Sequence, residues 1–166
     1  GKTIPENIRT FYNEEAHIAA LYQALEWLKL KAKRNDRIFI YFAGHGDQES
    51  LKDKGQGYLL AYNSPRFNYR NNALSISYLN SVANELSIKN NAQVFLITDA
   101  CHSGTLAGDF LEGKKLSAQN LLKVLNNEVR LAACAPDQLA AEGKEWGGGR
   151  GVFSYHLLNS LNRGNN

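Results

Sequence analysis

Three short apolar runs alternate with segments of helical periodicity, and this alternation constrains the fold more than any other feature of the chain. The runs are residues 37–43, 93–98 and 128–134, and each predicts a strand. The continuous apolar, β-branched and aromatic character of 37–43 is typical of a strand buried on both faces, and 93–98 predicts a second buried strand. Helices are predicted where apolar residues recur three and four positions apart: Ile18, Leu21, Leu25, Leu28 and Ala32; Leu79, Val82, Ala83 and Leu86; Ala118, Leu121, Leu122 and Leu125; Phe153, Leu157, Leu158 and Leu161. This order predicts an α/β fold with a mostly parallel sheet and helices on both faces.

The length and composition are those of one soluble globular domain. The 166 residues are 43% apolar and 21% charged, and a net charge of +3 is too small to indicate a nucleic-acid partner. No run reaches the roughly 20 apolar residues of a membrane-spanning helix, so no membrane partner is predicted. The two cysteines, Cys101 and Cys134, stand at the ends of apolar runs and favour a reducing compartment over a disulfide framework. With no visible signal peptide, these features predict a cytoplasmic protein.

Each of the first two predicted strands is followed by a motif with a reactive side chain. His45 stands between Gly44 and Gly46, and Cys101 lies in the sequence Asp-Ala-Cys-His-Ser-Gly at residues 99–104. Active sites of parallel α/β sheets lie beyond the carboxyl ends of the strands, so both side chains are expected at one edge. Backbone N–H groups in a tight turn lower the pKa of a thiol and form an oxyanion hole. A cysteine nucleophile with a histidine base therefore predicts a hydrolase.

Ordinary structural roles compete with this interpretation. Cys101 alone is about equally well explained as a small buried hydrophobe, and His45 as a histidine that hydrogen-bonds within its loop. His102 is adjacent to the cysteine, but neighbouring side chains in extended structure point to opposite sides, which disfavours it as the base. His17 and His156 lie on predicted helices, where packing or surface roles are expected. The glycines on both sides of His45 favour the catalytic role, because they leave space above the ring for a substrate.

Other chemistries fit the spacing less well. A phosphatase loop would need an arginine six positions after the cysteine, and that position is Ala107. A zinc site would need paired ligands at short spacing, and the adjacent Cys101 and His102 cannot easily bind one ion together. A metal site built from His45, Asp47 and Cys101 is geometrically feasible but matches no recognised ligand pattern. The sequence therefore predicts no metal site.

The residues that carry these motifs resemble a known family. A histidine after one strand and a cysteine after a later one, 56 positions apart, is the caspase arrangement. Caspases have Gln-Ala-Cys at the nucleophile, whereas this chain has Asp-Ala-Cys. Together with Tyr-Phe-Ala-Gly-His-Gly at 41–46, residues 99–104 look like the motifs of metacaspases and bacterial caspase-like cysteine peptidases of family C14, clan CD. Residues 133–138 with Glu142 are similar to the segment that opens the small subunit, and residues 153–155 to the start of the following helix.

The resemblance implies a catalytic dyad. Cys101 would attack the scissile carbonyl, and His45 would transfer the proton to the leaving amine. The backbone N–H groups of Gly46 and Cys101 would form the oxyanion hole. No cofactor is implied: some relatives bind Ca²⁺ through loop carboxylates, but Asp109 lies one residue from such a position, so Ca²⁺ activation stays open without a clear ligand set.

The resemblance also implies a substrate. Asp99 takes the place of the caspase glutamine at the floor of the substrate pocket, and a carboxylate there favours arginine or lysine at P1. Gln138 and Glu142 match further substrate-binding positions, although Glu142 is about equally well explained as an ordinary exposed glutamate. The partner is therefore a polypeptide with a basic P1 residue. The alternative is a non-catalytic caspase-like interaction module, and in either case fused or partner signalling domains are compatible with the chain.

The expected organisation is one caspase-like peptidase domain, an α/β/α sandwich that lacks the first and last strands of the family pattern. Residues 1–104 resemble the large subunit, 105–128 a linker, and 129–166 the small subunit. Residues 47–73 are polar and predict a long loop with a small hairpin. In the linker, Lys114 and Lys115 stand on a glycine-flanked stretch and are candidates for self-cleavage.

Overall fold

A parallel three-stranded sheet forms the centre of the molecule. The computed structural model describes residues 4–48, 57–66, 68–100, 126–134 and 139–163. The strands in chain order are β1 (Arg37–Ala43), β2 (Gly46–Gln48), β3 (Gly57–Leu59), β4 (Leu74–Ser75), β5 (Gln93–Asp99), β6 (Glu128–Ala132), β7 (Glu142–Gly143) and β8 (Arg150–Gly151). The central sheet has the order β1-β5-β6 with all strands parallel. The three apolar runs predicted as strands are thus the three strands of this sheet, with β6 ending two residues before Cys134.

The described residues form three α-helices: α1 (Ile18–Lys31), α2 (Ile76–Asn90) and α3 (Val152–Arg163). The helix predicted from Ala118 to Leu125 lies outside the described residues. The N-cap of α1 is His17, whose Nδ1 accepts a hydrogen bond from the N–H of Ala20 at 3.2 Å. Before this cap, Asn13 starts a short 3₁₀ turn with φ of 50°, a left-handed conformation that asparagine tolerates. Within the described ranges, none of the helices is long and apolar enough to cross a membrane.

Helix α2 is capped by the serine before it. Ser75 is its N-cap, and the Ser75 Oγ accepts a hydrogen bond from the N–H of Tyr78 at 3.2 Å. Ile76 is the first residue of the helix, and only 2% of it is exposed. Burial of this side chain stabilises the first turn of the helix.

Helices α1 and α2 pack on one face of the sheet and form the core. This face presents Val94 and Leu96, which are almost completely buried. The opposite face is different, because Phe39 and Tyr41 are 64% and 53% exposed. The expectation that β1 is buried on both faces is therefore wrong for these side chains. Phe39 stacks on Phe95 at a centroid distance of 4.6 Å, while the hydrogen bond of Tyr41 to α3 lies near the carboxyl end of the strand.

A small antiparallel sheet follows β1, in the order β2-β3-β4. Its central strand carries Leu59, whose side chain is fully buried in the core. The carbonyl oxygen of His45 accepts a hydrogen bond from the N–H of Leu60 at 2.9 Å. The hairpin expected between residues 47 and 73 is thus present in part as the β2–β3 pair. This pair holds the backbone at His45 next to the buried Leu59.

Candidate active site

The first sequence motif lies beside Asp99, the first residue of the second motif, at the carboxyl edge of the sheet. Strands β1 and β5 pair in register from Arg37 with Gln93 to Ala43 with Asp99, an offset of 56 residues throughout. Beyond the last pair, the N–H of Gly44 donates a hydrogen bond to the carbonyl oxygen of Asp99 at 3.0 Å. His45 follows immediately, and its side chain is exposed at this edge. Cys101, the expected nucleophile, lies outside the described residues.

Next to His45, the Asp47 carboxylate takes part in a hydrogen bond. Its Oδ2 accepts from the hydroxyl of Tyr69 at 2.7 Å, and that hydroxyl lies 2.9 Å from the carbonyl oxygen of Arg66. Among the residues that the structure describes, no three His, Cys, Asp or Glu side chains come together as a group that could hold a metal ion. Asp47 therefore has an identified structural role in holding the segment after His45.

Asp99 is buried at the end of β5, with 6% of it exposed. Its Oδ2 accepts two hydrogen bonds from Ser154, one from the backbone N–H at 3.0 Å and one from the hydroxyl at 2.5 Å. The Ser154 Oγ also lies 2.6 Å from the hydroxyl of Tyr41 on β1. Since Ser154 gives its single hydroxyl hydrogen to Asp99, Tyr41 must be the donor in this second contact. The result is a directed chain from Tyr41 through Ser154 to Asp99.

Gly151 separates Asp99 from a second acidic residue. In the β7–β8 pair, Glu142 is the direct partner of Gly151. A Cβ atom at position 151 would overlap the Asp99 carboxylate, so the glycine backbone lies directly against it. Glu142 is exposed on the other strand of this pair. Of the expected substrate-binding residues, Asp99 and Glu142 are thus brought to the same short β-ribbon, while Gln138 lies outside the described residues.

A cavity of about 680 Å³ opens at the carboxyl ends of β5 and β6, beside the start of α3. Its lining is mostly apolar and includes Leu139, Val152, Phe153 and Leu157, with Asp99 as its acidic group. Such a lining suits a ligand with an aliphatic stem and a cationic end, because the stem loses contact with water while the charge meets the carboxylate.

Two further expected residues can be placed. Cys134 lies beside β5, where its Sγ is 3.4 Å from the carbonyl oxygen of Ala100. His156 is an exposed residue of α3 whose ring lies 5.4 Å from that of Trp146, and it also lines the cavity beside Asp99. His102, Lys114 and Lys115 lie outside the described residues, so the expectations for them remain predictions.

Tyr41 and Ser154 were not identified as site residues from the sequence. Both belong to segments that resemble the family, but neither the hydroxyl of a β-strand tyrosine nor that of a serine in an amphipathic helix signals a role by itself. The available signal was positional, since Tyr41 lies two residues before the pair Ala43–Asp99 and therefore on the same face of the sheet as Asp99.

Comparison with known proteins adds family evidence to this geometry. A family model described as the peptidase C14 caspase domain matches residues 8–166. The crystal structure of a Geobacter sulfurreducens protein is similar, with a TM-score of 0.65 and 14% sequence identity, over 95% of this chain and 66% of that chain. At this identity the likeness supports the fold alone, and the present chain spans about two thirds of the solved protein. No curated protein matches the sequence with significance.

Proposed function

This chain belongs to the caspase-domain family of C14 peptidases, and we propose that it is a cysteine endopeptidase that uses His45 and Cys101 to cleave polypeptides after arginine or lysine. The observation that carries the proposal is the shared register of β1 and β5. His45 and Cys101 each follow the paired residues Ala43 and Asp99 by two positions, and the Gly44–Asp99 hydrogen bond extends that pairing beyond the strands. A base and a nucleophile at this spacing suit acyl transfer.

In the proposed reaction, His45 accepts the thiol proton of Cys101 as the sulfur attacks the scissile carbonyl carbon. The backbone N–H groups of Gly46 and Cys101 stabilise the negative oxygen of the tetrahedral intermediate. Collapse of that intermediate breaks the C–N bond, and His45 gives its proton to the leaving amine. Water then attacks the thioester with His45 as base, which releases the carboxylate product and restores the thiol.

The proposed preference for basic P1 residues rests on Asp99 and the cavity beside it. A buried carboxylate at the end of an apolar cavity favours a ligand that supplies a positive charge, since an uncharged ligand would leave the negative charge without an opposite charge beside it. Glu142, opposite Gly151, adds a second negative charge near the same ribbon. An aspartyl side chain at P1 would bring a like charge into this region.

The direct test is a panel of fluorogenic peptides that differ only at P1. Arginyl and lysyl peptides are expected to be cleaved with kcat/KM values about a hundredfold higher than those of norleucyl and aspartyl peptides, because a site built for a polar partner strongly rejects analogues that leave it unpaired. The Cys101→Ala variant, purified in parallel, measures any contaminating peptidase. Faster cleavage of the aspartyl peptide would overturn the role assigned to Asp99.

Self-cleavage in the linker follows from the same specificity. Purified protein is expected to cut itself slowly after Lys114 or Lys115, and intact-mass spectrometry would detect the two fragments. The Cys101→Ala protein should stay intact, and the Lys114→Gln/Lys115→Gln variant should stay uncut at this site while still cleaving the arginyl peptide. A sample that cleaves the arginyl peptide but shows no such fragments would contradict self-cleavage alone.

A further inference from the structure

We propose that Ser154, held by Tyr41, is a positioning residue that orients the Asp99 carboxylate for a basic P1 side chain. The inference rests on the proposed role of Asp99 in substrate selection and adds a mechanism by which that role is fulfilled. Neither residue needs to touch the substrate, because both act through Asp99. Three hydrogen bonds join Tyr41, Ser154 and Asp99, and the last two of these residues are deeply buried.

Ser154 donates two hydrogen bonds to one oxygen of the Asp99 carboxylate. Its N–H and its hydroxyl both donate to Oδ2 of Asp99, and an oxygen that accepts two hydrogen bonds has both lone pairs occupied. Among the described residues, Oδ1 accepts no hydrogen bond, and Asp99 lines the cavity beside α3. The pair of bonds thus fixes the rotation of the carboxylate and leaves Oδ1 as the acceptor for a ligand cation.

The burial of these groups makes their geometry rigid. Ser154 is 4% exposed and Asp99 is 6% exposed, so water competes little for the hydrogen bonds between them. Ser154 lies in the first turn of α3, where its N–H group has no partner within the helix. The carboxylate supplies that partner from β5, and the positive end of the helix dipole favours its negative charge.

Tyr41 adds a third anchor from a different strand. Its hydroxyl donates to the Ser154 Oγ, which leaves the serine hydroxyl hydrogen available only for Asp99. Tyr41 lies on β1, four residues before His45. The contact therefore ties the strand that leads to the proposed base to the residue that selects the substrate. A hydroxyl chain of this kind serves preorganisation, in which a binding group is held in place before the ligand arrives.

The first experiment compares P1 preference in hydroxyl-deletion variants. Ser154→Ala is expected to lower kcat/KM for the arginyl peptide about tenfold, mainly through KM, because hydrogen bonds to charged groups contribute this much. Cleavage of the norleucyl peptide should change little. Tyr41→Phe should have a smaller effect of about threefold, and none in the Ser154→Ala background, since Tyr41 acts through Ser154. Ser154→Thr, which keeps the hydroxyl, should retain most of the arginyl preference.

Two matched controls remove hydroxyls elsewhere. Ser81→Ala deletes a serine hydroxyl that bonds the carbonyl oxygen of Tyr78 on α2, and Tyr62→Phe deletes an exposed tyrosine hydroxyl. Both should leave P1 preference unchanged. An equal fall for arginyl and norleucyl peptides in Ser154→Ala would overturn the proposal, because it would indicate general damage. If Ser154→Ala fails to fold, the Tyr41→Phe variant provides the test. An unchanged preference for the arginyl peptide in Tyr41→Phe overturns the proposal.

A binding experiment separates this proposal from the proposed peptidase activity. Calorimetry with agmatine, a guanidinium amine, uses the Cys101→Ala protein and the same protein with Asp99→Asn or Ser154→Ala. Binding that is lost with Asp99→Asn and weakened about tenfold with Ser154→Ala supports the positioning role even if no peptide is cleaved. Equal agmatine affinity with and without Ser154→Ala overturns the positioning role, even if the wild-type protein cleaves arginyl peptides. Absence of agmatine binding in the parent protein also overturns it.

Discussion

Alanine in place of either His45 or Cys101 is expected to reduce kcat/KM for an arginyl peptide by roughly 10⁴-fold or more, and the double variant should be no worse than either single one. Nucleophile and base act as one unit, so the loss of one partner removes the contribution of the other. Kinetic assays at high enzyme concentration would measure all three variants against wild type. If the loss of kcat/KM in the double variant equalled the product of the two single losses, the two residues would not act in one step.

The parallel pairing of β1 with β5 is the structural basis for coupling these two residues. In a parallel pair, residues with equal offset advance together along both strands, and the offset of 56 that pairs Ala43 with Asp99 equals the spacing of His45 and Cys101 in the sequence. The Gly44 N–H bond to the Asp99 carbonyl shows that the first residue after β1 lies beside the last residue of β5. The Leu60 N–H bond to the His45 carbonyl holds the other side of the same turn.

Two other histidines provide matched controls. His102→Ala should retain most of the activity, since the sequence predicts that its side chain points away from the thiol. His17→Ala removes the N-cap of α1, so it should lower the free energy of unfolding by about 1 kcal/mol without changing P1 preference. If His102→Ala is as inactive as His45→Ala, the base has been wrongly assigned. Undiminished cleavage by Cys101→Ala would favour the non-catalytic interaction module.

Much of this architecture could be predicted from sequence because its strands are short, apolar and widely separated. The register was also implicit, since the spacing of the two motifs equals the offset between the paired strands. The exposure of Phe39 was not predictable in the same way. A continuous apolar run looks the same whether helices cover one face of a strand or both, so its burial depends on packing that the run itself does not encode.

The Tyr41–Ser154–Asp99 chain shows a second limit. Tyr41 and Ser154 are 113 residues apart, and their contact exists only because α3 begins over the carboxyl end of the sheet. Local patterns describe the helix and the strand separately, but they do not state which turn of the helix meets which strand. Polar contacts between helices and strands are therefore visible only in the structure. Residues with reactive side chains, in contrast, can be recognised from the sequence.

Gly151→Ala is expected to weaken both the stability of the fold and the preference for basic P1 residues. The added Cβ would overlap Oδ2 of Asp99, and this oxygen cannot move away without breaking its two bonds to Ser154. Overpacking and a broken hydrogen bond together should lower the free energy of unfolding by about 2 kcal/mol, measured by urea denaturation. The ratio of arginyl to norleucyl cleavage should fall about tenfold, because the carboxylate loses its fixed orientation.

Gly148→Ala in the same ribbon distinguishes this contact from general damage. Its φ is 88°, so alanine is strained there by about 1–2 kcal/mol, but among the described residues no atom lies within 4 Å of the added Cβ. Gly148→Ala should therefore lose stability while keeping the wild-type preference for arginine. If both variants lose that preference equally, the ribbon acts only as a scaffold. If only Gly151→Ala loses the preference for arginine, glycine is required at this position because the Asp99 carboxylate occupies the space that a side chain would need.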